Sequence, residues 1–438
     1  MSMLNVVARI DKDDNFSVDS QDMHYNLYDN NIFTYTFWNE DYCDFQRFFS
    51  KSGLDLFYIS LIVYGLDRII PRDKADDCWS RDIKVYLPVF NIKIWSENKN
   101  LLQELLNFLS GDTWEFEFRE RNNFTESELK VKNKMESSKT KINDTSKICM
   151  FSGGLDSFIG AIDLIEQTGT SDIKFVSHYG GGKGVIEYQK ALTTSIINEY
   201  NLSQDNFKSF YASAKNGVED TTRTRSFMFF AHAIVLATTM NKKIKLIIPE
   251  NGLISLNIPL TNSRLGSSST RTTHPYYILL LERLIINLNI DIEIENPYQF
   301  KTKGEMILES RNIEFLKSNI GNTMSCSHPD QGRMSGDKVT SHCGYCLPCV
   351  IRRASILKAK ITDTSRYRDI DFTSGPTAKT SLLSYKIGVQ KFNEKLSFLK
   401  IQNSGPVTSN IEDFIGVYNR GMNELANLLG EYNESILS

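Results

Sequence analysis

The chain has 438 residues, 41% of them hydrophobic and 24% charged, with a formal net charge of -3 and a pI near 6.1. At roughly 150 residues per domain this allows two or three domains with sizeable cores, and it excludes both a disordered chain and a uniformly basic nucleic-acid binder. No apolar run nears the roughly 18 residues of a membrane span, and the first residues lack a signal-peptide pattern, so a cytoplasmic protein with no membrane partner is expected.

Residues 1–120 mix strand-like runs (Asn5 to Ile10, Ile32 to Trp38, Ile83 to Phe90, Trp114 to Phe118) with helical patterns at Leu54 to Gly65 and Leu101 to Leu109. They read as an N-terminal α+β accessory domain without a concentrated set of catalytic residue types. Trp38, Trp79, Trp95 and the segment Phe57 to Tyr64 are its candidates for a docking surface, with core packing as the competing use of the same aromatics. Residues 121–146 are polar and Ser/Thr-rich, and read as a linker.

From residue 147 to 360 strands and helices alternate: Lys147 to Phe151, Ile173 to His178, Phe207 to Ala212, Ile244 to Pro249 and Ile292 to Glu295 are separated by helical patterns. Such alternation buries a parallel sheet between helical layers, so the fold class expected is α/β, a doubly wound parallel sheet. Two amphipathic patterns, Ser381 to Leu399 and Ile411 to Glu431, make residues 361–438 a C-terminal helical tail.

The first chemical motif is Ser152-Gly153-Gly154-Leu155-Asp156-Ser157, in frame between an apolar strand and a helical run. Its glycines let the backbone approach an anion. Its hydroxyls and the free N–H groups of the helix start can donate to phosphate oxygens. Asp156 would repel phosphate by itself, which points to a magnesium ion beside it. A second cluster, Gly180 to Gly184, is not a Walker loop, because Gly184 follows Lys183 where Ser or Thr is needed; it reads as a loop near the ligand or as a simple turn.

The second motif is Cys326, Cys343, Cys346 and Cys349, spaced C-x16-C-x2-C-x2-C. Four converging thiolates suit a closed tetrahedral zinc site, with an iron–sulfur cluster as the alternative. His328 and His342 stand beside the ligands as substitutes. Arg352 and Arg353 follow the last cysteine, facing either phosphates or solvent. The scattered Cys43, Cys78 and Cys149 read as small hydrophobes.

Together the two motifs resemble the QueC family of 7-cyano-7-deazaguanine synthases, PP-loop enzymes of HUP-like fold. Three further stretches match in order: Ser177-His178-Tyr179-Gly180, Arg223-Thr224-Arg225-Ser226, and Pro297 with Lys301 to Met306 as a Pro-x5-Lys-x-Glu segment. The resemblance covers residues 147–355. It implies ATP-dependent adenylation of a 7-deazaguanine carboxylate. Ser152, Gly153, Gly154, Leu155, Asp156 and Ser157 would bind ATP phosphates and Mg2+, Lys301 and Arg225 would contact phosphates or the acid, and Zn2+ would brace the pocket. Gly181 and Ser226 depart from the family pattern, and Pro249-Glu250-Asn251-Gly252 stands on the adenine side, which puts ammonia as the acceptor in doubt. QueC enzymes are about half this length. The added N-terminal domain and tail resemble the QatC group of QueC-like proteins from four-gene anti-phage defence operons, which implies amide formation on a protein N-terminus, with a QatB-like partner. A nitrile synthase using ammonia, a tRNA-modifying PP-loop enzyme and a non-catalytic scaffold are the alternative readings.

Overall fold

The computed structural model describes residues 3–19, 22–138, 144–170, 172–180, 182–219, 223–260, 271–334, 336, 339–430 and 432. Ten strands are present among them: β1 (Leu4–Arg9), β2 (Met23–Asn26), β3 (Phe33–Tyr35), β4 (Asp82–Val89), β5 (Thr113–Glu120), β6 (Lys147–Met150), β7 (Ile173–Tyr179), β8 (Phe207–Ala214), β9 (Ile244–Ile247) and β10 (Ile292–Glu295). They build a four-stranded sheet of order β2-β1-β4-β5 and a six-stranded sheet of order β10-β9-β6-β7-β8-β3.

The α/β reading of residues 147–360 holds at the level of the sheet. β6 to β10 pair in parallel throughout, and β7 is buried along nearly its whole length, as a strand with helices on both faces must be. The chain runs outward from β6 through β7 to β8, then returns to the other side of β6 to lay down β9 and β10. That reversal places a topological switch point at the C-terminal ends of β6 and β9, where parallel sheets of this kind open a crevice.

The N-terminal region departs from expectation. Its sheet is entirely parallel, with β1 beside β2 and β4, and β4 beside β5, so it is a second α/β layer and not α+β. β3 leaves it altogether and pairs antiparallel with β8 as the edge of the six-stranded sheet, Phe33 opposite Ala214 and Tyr35 opposite Ala212. The helix Lys51–Ile69 is buried almost all round, as a helix enclosed by protein must be. It packs on the helix Arg225–Ala237 and on β8, while its Asp55 accepts from Phe90 N–H (3.0 Å), just past β4, and from Trp95 Nε1–H (2.9 Å). One hydrophobic core therefore runs from Val6 and Trp114 to Phe230 and Leu284. Phe57 and Tyr58 are fully buried within it, as is Trp95, so this segment is core and not a docking face.

One more expectation changes. Within the stretch read as a linker, Glu126–Ser137 forms a helix with a capping box, Thr125 accepting from Glu128 N–H while the Glu128 carboxylate accepts from Thr125 N–H. The tail is helical, as expected. The helix Ile411–Gly430 packs on the helices Leu347–Ala359 and Gly252–Leu256, and its apolar stripe shares a core with Cys343 and Cys349. None of the described helices is long and apolar enough to cross a membrane.

Candidate functional site

The strand β6 delivers Ser152 to Ser157 to the switch point, and Leu155 begins the helix Leu155–Thr168. Gly153 has φ +85, where a side chain would be strained, and a Cβ there would lie 2.9 Å from Gln189 Cγ. Gln189 holds the loop from that side, its Nε2 donating to the carbonyls of Ser152 and His178, both at 3.0 Å. Ser152 Oγ donates to Ser157 Oγ (3.1 Å) and accepts from Gly154 N–H (3.3 Å). Gly154, the N-cap, has no side chain with which to satisfy the first N–H groups of the helix. The helix start is thus open to an anion.

Asp156 lies on the first turn, 5% exposed. Its Oδ2 accepts from Asn251 N–H (3.2 Å) and Asn251 Nδ2–H (2.6 Å), from the segment just after β9, and its Oδ1 pairs with Lys303 Nζ at 3.0 Å. Glu250 stands against the same carboxylate. Burial and then the Asp156 charge push the Glu250 carboxyl well above its usual range, while Asp156 stays below its own: burial opposes ionisation there, but Lys303, Glu250 and Asn251 outweigh it. Two carboxyls this close cannot both stay charged without a cation; Lys303 is the cation at Asp156, and Glu250 beside it keeps its proton. Beyond Glu250, Asn296 Nδ2 donates to its carbonyl (2.9 Å) and also lines a cavity of about 480 Å³ with Ser255, Thr273 and Gln299.

Two of the lysine and arginine assignments shift. Lys301 does not reach the loop; its Nζ pairs with Glu309 at 2.5 Å and its side chain is 38% exposed. Lys303 is the cation of the site. Thr302 and Glu305 form a capping box, which makes Lys303 the first residue of the helix Lys303–Leu308 and leaves Lys301 outside it. Arg225 is the exposed first residue of the helix Arg225–Ala237, and its charge reaches Tyr64 and His178 at the end of β7, not Asp156. The residues before it are held by the helix Lys51–Ile69, since its Asp67 Oδ2 accepts from Arg223 N–H (2.8 Å) and Thr224 N–H (3.0 Å). In the second glycine cluster Gly184 N–H donates to Asp330 Oδ1 (2.9 Å), while Gly181 and the Lys183 side chain lie outside the described residues.

The four cysteines converge. Their sulfurs all lie within 4.8 Å of one another, with Cys326 to Cys346 and Cys343 to Cys349 at 3.9 Å. A tetrahedral ion with metal–sulfur bonds of about 2.3 Å sets its ligands about 3.8 Å apart, so the cluster could hold a metal such as zinc. Backbone N–H groups of His328 and Cys343 donate to Cys326 Sγ, both at 3.2 Å, and Cys346 N–H donates to Cys343 Sγ (3.3 Å). Gly344 makes the turn between these ligands at φ +92, with Asp369 O only 2.0 Å from where a Cβ would stand. His342, read as a substitute ligand, lies beside the cluster with Nδ1 3.8 Å from Cys349 Sγ and Nε2 meeting Thr323 O (3.1 Å), and burial keeps it neutral, down at about 3.

The centre and the loop touch. Met324 N–H donates to Gly153 O (2.8 Å), and Leu155 N–H donates to Ser325 Oγ (3.4 Å), one residue before Cys326. Neither a protein-family model nor a curated protein matches this chain. Arg352 and Arg353, read as facing phosphates or solvent, do neither directly: Arg352 is fully buried, and Arg353 stacks among Tyr367, Phe372 and Tyr432. Lys303 and Ser325 are the site residues that the sequence reading passed over; Glu250 and Asn251 were noted there on the adenine side, without their meeting with Asp156. The Pro297-x5-Lys303-x-Glu305 spacing carried the signal for Lys303, whereas Ser325 had none beyond its place next to Cys326.

Proposed function

We propose that this protein is an ATP-dependent ligase of PP-loop type, similar to QueC, which adenylates a 7-deazaguanine carboxylate and passes it to an amine. The reading rests on one arrangement above all: an uncapped helix start at the switch point, with the Asp156–Lys303 pair beneath it and the four-cysteine centre seated against the same loop. Phosphates would lie over the N–H groups of Asp156 and Ser157, with Lys303 adding positive charge close by. A carboxylate oxygen of the acid attacks the α-phosphorus, the bond to the bridging oxygen breaks, and pyrophosphate leaves. An amine then displaces AMP to give an amide. Asp156 and Glu250 would hold a magnesium ion entering with the nucleotide, which would supply charge neutralisation to the phosphates.

We assign zinc to the four thiolates, as a closed structural site. The amine we favour is the N-terminus of a QatB-like partner protein in anti-phage defence, with ammonia and nitrile formation as the alternative. A sulfur-transferring tRNA enzyme fits less well: Cys149, the cysteine nearest the loop in sequence, is fully buried and its thiol is pushed up by that burial. Incubation with ATP, Mg2+ and 7-carboxy-7-deazaguanine should release pyrophosphate and AMP. If no candidate acid provokes release, a non-catalytic scaffold replaces this reading. Mass spectrometry of co-expressed operon partners then finds, or fails to find, the added deazaguanine.

A further inference from the structure

Met324, Ser325 and Cys326 run without a break from the phosphate loop to the metal centre. Behind Ser325 lies Arg352, three residues after Cys349 on the helix Leu347–Ala359, with no exposed surface. Its guanidinium donates to Thr323 Oγ1 (2.6 Å), Ile320 O (2.7 Å), Ser365 Oγ (2.7 Å) and Ser325 Oγ (3.5 Å), while its Nε is buried without a partner. All four acceptors are neutral. Among the described residues no carboxylate forms an ion pair with it; Asp363 is near enough for its carboxyl, which burial alone would raise, to be held low by the Arg352 charge.

A buried guanidinium whose hydrogen-bond acceptors are all neutral is costly, and the Asp363 carboxylate offsets part of that cost. Two further sources of negative charge would be the thiolates and the phosphates. A divalent ion held by four thiolates leaves two negative charges in excess, one helical turn away at Cys349. Phosphate oxygens at the loop would supply the other. Ser325 Oγ stands between them, half-exposed, and already accepts from Leu155 N–H and from Arg352. Both contacts are long and use its oxygen as acceptor, which leaves the hydroxyl proton to give.

We propose that Ser325 is a phosphate-contacting residue of the nucleotide site, and that Arg352 is the positioning residue that orients its hydroxyl and ties it to the thiolate centre. The proposal rests on the ATP reading of the loop. It adds a third hydroxyl to those of Ser152 and Ser157, supplied by the cysteine segment, so that metal loading and nucleotide binding are coupled through one residue.

Titration calorimetry of the full chain with inorganic pyrophosphate and with ATP tests it. Ser325→Ala should weaken both ligands about tenfold, the size of one hydrogen bond to a charged acceptor, with metal content and melting temperature unchanged, and Ser325→Thr should restore them. Arg352→Lys keeps the charge but not the fork; it should weaken pyrophosphate in the parent and add nothing in the Ser325→Ala background. Undiminished binding by Ser325→Ala overturns the contact, and additive losses overturn the positioning role. If the parent protein takes up neither pyrophosphate nor ATP, the reading of the loop fails as well, which the variants alone would not show.

Discussion

Lys303 and Lys301 sit two residues apart and have different fates. Lys303 is 5% exposed in its side chain and pairs with Asp156, whereas Lys301 is paired with Glu309 at the surface. Lys303→Met should therefore abolish ATP-dependent pyrophosphate release while Lys301→Met leaves it within about twofold, since exposed ion pairs contribute little. Asp156→Ala is a poorer probe than charge alone suggests. It strands a buried ammonium, at a cost of roughly 3–5 kcal/mol of stability, so chemical denaturation should show the loss alongside the activity assay.

Asp55 carries a separate, pH-linked prediction. Burial pushes its carboxyl up to about 7, against the hydrogen bonds from Phe90 and Trp95 that favour the charged form. The folded protein then holds a proton that the unfolded chain releases near pH 4. Stability contributed by this group is complete below that pH and is lost as pH rises towards 7, by up to roughly 4 kcal/mol. Urea midpoints at pH 5 and pH 8 should show the decline, and Asp55→Asn should flatten it.

Among the elements, the turn that carries Cys343 and Cys346 tolerates little change. Gly344→Ala forces a side chain into a left-handed turn and against Asp369 O, and should lower both metal stoichiometry and melting temperature. Cys346→Ser should lose metal with a similar loss of stability, read by elemental analysis and thermal unfolding. The helix Lys303–Leu308 shows how an element's start decides chemistry. Its Thr302 and Glu305 capping box was legible in the sequence and, together with the Pro297 spacing, locates Lys303 on the helix. The same pattern at Thr125 and Glu128 announces a helix where low hydrophobicity had suggested a linker. Composition averages over such a segment, while caps act on single N–H groups.

For the whole molecule, the two sheets share one core, and β3 crosses from the N-terminal region to complete the six-stranded sheet. A fragment of residues 147–438 should therefore be insoluble or expanded when expressed alone, exposing Phe210, Phe230 and Leu284, as measured by solubility and dye binding. Recovery of a compact fragment that binds nucleotide would show that the N-terminal sheet is a separable addition.

The amino-acid sequence by itself determined the strand–loop–helix at Ser152 to Ser157, the convergence of Cys326, Cys343, Cys346 and Cys349, and the α/β alternation that carries them. Each of these is a short-range property, set by hydrophobic period, glycine placement and ligand spacing over a few residues. Only the tertiary structure decided that Glu250 and Asn251 meet Asp156, that Lys303 enters and Lys301 does not, that Ser325 and the buried Arg352 join the four-cysteine cluster to the loop, and that the N-terminal sheet is parallel and fused to the core. Those pairings join residues often a hundred or more positions apart, and they follow from how strands order at the switch point and how helices rotate as they pack, which no local pattern encodes.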